Sequence, residues 1–184
     1  MALSRAAIVD AGLGILDAYG LGDLSMRRVA DALGVQAGAL YYHVPNKQSL
    51  LAALSDEVLE DVPEPDQGLE AGEWLAAWAD GVRVALLARR DGAELVASSL
   101  ALGLGGVDLA APPARRLADV GNPRPDATAR ALLHLILGLC VTEQTRAQLR
   151  ELGVVADHDA DAARDDFAWA VATFVRGAVP GNAG

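Results

Sequence analysis

Apolar residues recur along this chain every third or fourth position, the period of one helical face, and each run is closed by glycine, proline or a small polar residue. A first helix is expected over residues 4–19, capped by Ser4, with Ile8, Ile15, Leu16 and Tyr19 on one face and Asp10 and Asp17 outside. Gly12 and Gly14 weaken it, by roughly 1 kcal/mol each relative to alanine. No strand precedes them, so they do not read as a phosphate loop. After the loop at Gly20–Asp23, Leu24 staples the chain ahead of Ser25, a good N-cap. Val29, Ala30 and Leu33 then share a face, Gly34 stops the run and Val35 plugs the turn. A second short helix follows from about Gln36 with Leu40 inward. Pro45 and Asn46 close it and cap a helix over 47–61, whose stripe is Leu50, Leu51, Leu54, Val58 and Leu59. The breaker cluster 63–68 (Pro-Glu-Pro-Asp-Gln-Gly) marks a boundary between a domain of residues 1–62 and one of 63–184.

The second domain continues in helices, expected over 69–90, 92–101, 112–120, 126–152 and 162–178, with an acidic loop over 154–161. Arg115 and Arg116 are expected on the surface. The middle of the long helix, 131–141, is apolar nearly all round, and such a helix must be covered on most sides. The last helix adds an amphipathic face of Phe167, Val171, Phe174 and Val175. A small bundle covers both with difficulty, so a homodimer is expected through helices 126–152 and 162–178, four in all about a two-fold axis. A helix simply central in the monomer is the other reading. The fold class is all-α: a three-helix N-terminal domain followed by a helical bundle.

Residues 25–43 carry the chemistry. Two short helices joined by a tight turn, the second opening with the small residues Ala37, Gly38 and Ala39 beside Gln36, suit insertion into a major groove, where a glutamine amide can pair with a base edge. On spacing alone an ordinary helical hairpin is an equal reading. The residues in detail resemble the helix-turn-helix of the TetR family of bacterial repressors: the Ser cap, an Arg, the Ala-x-x-Leu-Gly-Val turn, the Leu-Tyr-x-His ending, then Asn46-Lys47 and Leu50-Leu51. The likeness spans residues 4–62.

The resemblance implies base reading by Gln36, Ala37 and Ala39 and phosphate contact by Tyr41, His43 and Lys47. Gly38 replaces a residue that is often Pro, Ser or Thr there. Arg27 matches an arginine that reads a base in the tetracycline-repressor branch. Arg28 either joins the DNA-contacting set or pairs with Asp31 three residues on. Tyr42 either contacts DNA or plugs against the first helix. Lys47 stands at a helix start, where free amides attract a phosphate.

Charge adds no support. The net charge of −10 argues against a general nucleic-acid coat, while residues 1–47 balance four basic against four acidic side chains. A neutral head on an acidic body binds non-specific DNA weakly. Only 4% of residues are aromatic and 52% are hydrophobic, a composition favouring helices and a substantial core. The single cysteine, Cys140, forms no internal disulfide and fits a reducing cytoplasm. No run is long enough to span a bilayer. Arginine outnumbers lysine fourteen to one, pointing to a GC-rich bacterial genome.

No nucleophile has a neighbouring base and no metal set is spaced for binding, so neither an enzyme nor a cofactor is expected. His134 and Glu143, nine apart on one helix, face nearly opposite ways. Residues 86–95 and 137–144 resemble pieces of the tetracycline-repressor effector domain. The histidine and glutamate positions that hold its metal-chelated drug carry Val96 and Thr142 (with Glu143 beside it) here, and Pro63 stands where a further histidine would. The metal site is therefore not carried over. The resemblance leaves an apolar pocket lined by some of Trp74, Trp78, Val82, Leu86, Val96, Leu100, His134 and Leu137, suited to a small apolar or aromatic effector. Core packing is the other reading of each of these side chains.

The expected function is a ligand-responsive regulator released from a palindromic double-stranded operator, with helix 47–61 as the hinge between head and body. The alternative is a helical ligand-binding or protein-interaction module that binds no DNA.

Overall fold

A computed structural model describes residues 3–155 and 159–180. Among them are nine α-helices and one 3₁₀ turn: α1 (Arg5–Tyr19), the turn Leu21–Asp23, α2 (Met26–Leu33), α3 (Ala37–Leu40), α4 (Lys47–Glu60), α5 (Ala71–Leu87), α6 (Gly92–Ala101), α7 (Ala111–Asp119), α8 (Pro125–Glu151) and α9 (Ala160–Ala178). The acidic loop expected over 154–161 lies partly outside the described residues.

The caps are those the sequence supplies. Ser4 Oγ accepts from Ala7 N, Ser25 Oγ from Arg28 N and Asn46 Oδ1 from Ser49 N, each satisfying an amide that the first turn cannot. Gly34 ends α2 in the left-handed region, φ 67°, where its N–H reaches Ala30 O and Asp31 O.

The chain forms two compact units. The first joins Met1–Asp61 to Ala85–Val107; the second joins Val62–Val84 to Asp108–Gly184. The sequence expectation is a single boundary after residue 62; the chain crosses first at residues 61–62, and residues 85–107 group with the N-terminal segment. The reasons lie in α6 and its flanks. α6 packs along α4 and buries Leu95 and Val96 completely. Asp91, before it, accepts from Leu21 N at 2.7 Å. Asp56, on α4, accepts from Gly106 N and Val107 N beyond its other end.

In the first unit α1 packs on α2 and α4 around Ile8, Leu16, Val29, Leu40, Leu50 and Leu54. Gly12 permits this: a Cβ there would stand 2.9 Å from Leu54 Cδ2. Tyr19, expected on the buried face of α1, is 54% exposed, and Leu33 and Leu51 are only half-buried. In the second unit α8 packs against α7 and α9. It turns Ala129, Leu132, Leu133, Ile136, Leu137 and Cys140 inward, and Phe167, Val171, Val175 and Ala178 of α9 are buried with them. Asn122 Nδ2 donates to Ala178 O at 2.6 Å, fastening the end of α9.

Burial pushes the Cys140 thiol up from its ordinary 9.0 to about 12, with Glu143 adding in the same direction and Arg83 opposing. The folded pKa lies above the unfolded one, so this group's contribution to stability is complete below about pH 9 and is lost as pH rises toward about 12. A thiol reagent at neutral pH is expected to label Cys140 only after denaturant has unfolded the chain. Full labelling of the native protein within minutes would contradict that burial.

Candidate functional site

The reading head is built on short elements. α2 buries Met26, Val29 and Ala30, which leaves Arg27 exposed. After the Gly34 turn, Val35 N donates to Ala30 O at 3.0 Å. α3 follows as a single helical turn anchored by Leu40, with Val44 buried just beyond it. Gln36 is its N-cap residue by position, yet its side chain makes no capping bond, so the exposed amide is free for another partner. Ala37 and Ala39 are half-buried, Gly38 is exposed, and a Cβ on Gly38 would meet nothing within 4 Å. The outer side of this turn is therefore smooth, and a backbone or base can approach it closely.

The side chains after α3 stand outward. Tyr41 is 50% exposed and Tyr42 92%, and His43 and Lys47 are exposed too. Tyr42 does not plug against α1: Leu40 and Val44 take the inward positions on either side. Asn46, capping α4 through Ser49 N, fixes Lys47 as its first residue. That is the positive end of the helix dipole, where a phosphate is favoured.

Arg28 differs from this set. Its Nη1 donates to Asp23 Oδ1, and its Cζ lies 4.0 Å from the centroid of the Tyr19 ring. The expected partner, Asp31, is not the one it takes. Three residues along one helix is a permissible spacing, but the 3₁₀ turn presents Asp23 directly beside the start of α2.

The residues expected to line an effector pocket divide between the units. Trp74, Trp78, Val82, His134 and Leu137 belong to the second, and Leu86, Val96 and Leu100 to the first. All but two are buried: Leu100 is half-buried and His134 is exposed. His134 follows Leu133, and one residue turns a helix by roughly 100°, which carries its side chain away from the inward face. The indole Nε1 of Trp74 is buried without an acceptor among the described residues. Arg116, expected on the surface, is half-buried instead: it donates to Leu69 O and lies 6.0 Å from the Trp74 ring.

Sequence reading passed over one buried pair. Arg83 Nη2 and Nε meet Glu143 Oε1 and Oε2 at 2.6 and 3.1 Å, with side chains only 10% and 12% exposed, and the guanidinium lies 5.5 Å from the Phe167 ring. Position after Val82 does not by itself reveal that Arg83 is buried, since one residue turns a helix by roughly 100°; its partner lies sixty residues away in sequence. Glu143, Thr142 and Leu139 of α8, with Phe167, Ala163 and Asp166 of α9, line a cleft of about 350 Å³ in the second unit.

A bipartite helical chain with a capped helix-turn-helix and a free polar set after it is the architecture of a DNA-reading regulator. The comparisons make the assignment specific. Residues 8–54 match the family described as "Bacterial regulatory proteins, tetR family". The class D tetracycline repressor of Escherichia coli is 38% identical over 96 residues, covering 50% of this chain and 44% of that repressor. The chain thus spans about half the length of the curated relatives it matches. The crystal structure of Mycobacterium smegmatis BioQ superposes with a TM-score of 0.90 at 34% identity, over 97% of this chain and 98% of that one. BioQ bound to its natural double-stranded DNA operator superposes at 0.84, over 97% and 99%. A TetR variant from Acinetobacter baumannii in complex with minocycline gives 0.79 at 27% identity, over 96% of both chains. The chain belongs to the TetR family.

Proposed function

We propose that this chain is a ligand-responsive DNA-binding transcriptional regulator, a dimeric repressor released from a palindromic operator by a small apolar or aromatic effector. The observation that carries this reading is the set Arg27, Gln36, Tyr41, Tyr42, His43 and Lys47, exposed, with side chains that make no hydrogen bond or ion pair among the described residues. Side chains with donors and aromatic faces, left without partners around a smooth helical turn, suit a duplex groove flanked by phosphates. The operator bound by BioQ, a relative of nearly equal extent, supports it. Arg27→Ala and Tyr41→Ala should each weaken operator binding by about 1–3 kcal/mol while leaving the helical spectrum unchanged. Binding that survives both changes together would remove this docking of the head.

Dimerisation through α8 and α9 is supported by what those helices leave outside. Ala131, His134, Gly138 and Thr142 line the exposed side of α8, and Trp169 of α9 is 70% exposed. A second copy across a two-fold axis would cover them and set two heads on successive major grooves. Sedimentation is expected to give twice the 19.0 kDa chain mass, and Trp169→Asp to shift it toward one.

The effector reading draws on Trp74 of the second unit, whose buried Nε1 has no acceptor among the described residues and could be satisfied by a ligand acceptor. The minocycline complex supports small-molecule binding in this fold. Effector and operator must then weaken each other's binding by the same factor, since the ligand acts only through its differential affinity for two states. Equal effector affinity with and without operator would exclude that coupling. The regulator acts in the cytoplasm on this reading; among the described residues no helix is long and apolar enough to cross a membrane.

A further inference from the structure

The Arg28 guanidinium has two intramolecular partners on two different elements. Tyr19 ends α1 and offers its ring face at 4.0 Å; Asp23 closes the 3₁₀ turn and accepts from Nη1. The backbone of Arg28 is fixed as well, since its N–H donates to Ser25 Oγ at 3.2 Å. Its neighbour Arg27, one position earlier in the same first turn of α2, is exposed and has neither kind of partner among the described residues.

We infer that Asp23 and Tyr19 withhold Arg28 from the DNA backbone, so that the head discriminates its operator from bulk DNA by limiting its own phosphate attraction. An exposed ion pair alone is weak and exchanges readily. Here the exchange brings little. Were Arg28 to leave for a phosphate, it would trade one anion for another, and Asp23 would be stranded as an unpaired negative charge beside the polyanion. The ring on its face restrains it further, because a guanidinium stacked on an aromatic must give up that contact to swing away. Non-specific affinity grows with every neutralised phosphate, whereas specificity comes from base contacts. A head with four basic side chains in residues 1–47, one of them paired within the head, leans on the second kind. Arg28 is thus a positioning residue that ties the end of α1 to the start of α2, and Asp23 is a determinant of specificity without touching a base.

The test uses the full chain and a fixed mixed-sequence duplex, with affinity measured across a salt series for wild type, Asp23→Asn, Arg28→Gln and the double variant. Arg28→Gln alone should leave the slope of log affinity against log salt unchanged. Asp23→Asn should steepen it by about 0.9, one further phosphate, and raise low-salt affinity about tenfold. The double variant should return to the wild-type slope, which a purely structural role for Asp23 would not produce. Two results overturn the inference: a slope flattened by about 0.9 in Arg28→Gln, meaning Arg28 already neutralises a phosphate, or a gain in Asp23→Asn that persists in the double variant. Should Asp23→Asn lose its helical spectrum, the Arg28→Gln slope decides alone. The inference rests on the DNA-binding reading, and the two fail differently: without DNA binding the wild type itself shows no salt-dependent affinity.

Discussion

Arg83→Ala is expected to destabilise the second unit by about 3–5 kcal/mol, seen as a lower urea midpoint. The cause is less the pair than what its loss leaves behind. Glu143 is 12% exposed, and both its oxygens are taken by the Arg83 guanidinium. Remove that partner and a carboxylate stays unpaired in a poorly solvated place. Glu143→Ala strands the arginine in the same way, although Phe167 still offers its ring. Replacing both together, Arg83→Met with Glu143→Leu, should cost little, because no charge is left buried. A double variant as unstable as either single one would mean that the pair contributes through its shape in the packing rather than through its charges.

Gly92→Ala is expected to cost about 2–3 kcal/mol, the scale of a strained backbone position. A Cβ on Gly92 would stand 2.4 Å from the carbonyl oxygen of Leu86, and backbone, unlike a side chain, cannot swing aside. The turn is already under constraint. Asp91, just before it, is a non-glycine residue at φ 54°, held there while its carboxylate accepts from Leu21 N at 2.7 Å. Relaxing the clash moves Asp91, and with it the contact that ties the start of α6 to the loop between α1 and α2. Operator affinity is therefore expected to fall together with stability. Gly14→Ala provides the contrast: exposed, helical and with nothing within 4 Å, it should gain about 1 kcal/mol. Equal effects of the two changes on the thermal midpoint would contradict the steric account.

Much of the head was legible because its determinants are local. Ser4, Ser25 and Asn46 cap the helices that follow them, and Gly34 takes the left-handed turn that only glycine adopts at low cost. What escaped depended on which segments meet. Nothing in the periodicity of residues 92–101 tells that α6 joins the N-terminal unit; the ties are carboxylates, Asp91 and Asp56, whose partners are backbone amides distant in sequence. Charges misled for the same reason. Arg28 takes Asp23 across a turn rather than Asp31 along its helix, and Arg83 finds Glu143 sixty residues away. An effector site is the least legible from sequence, since a buried Trp74 or Val82 has the same sequence signature whether it lines a pocket or fills a core.

The central claim, that the exposed set around α3 reads a specific duplex, is tested most directly by fluorescence polarisation. The labelled duplex is the one flanking this protein's own gene, titrated across a salt series against an unrelated duplex of equal length. The account expects tight binding to the first, at least about a thousandfold tighter than to the second at physiological salt, with a steep salt slope. Affinity no greater than for the unrelated duplex, repeated with fragments recovered by selection from the whole genome, would contradict it and leave a helical module that binds no DNA.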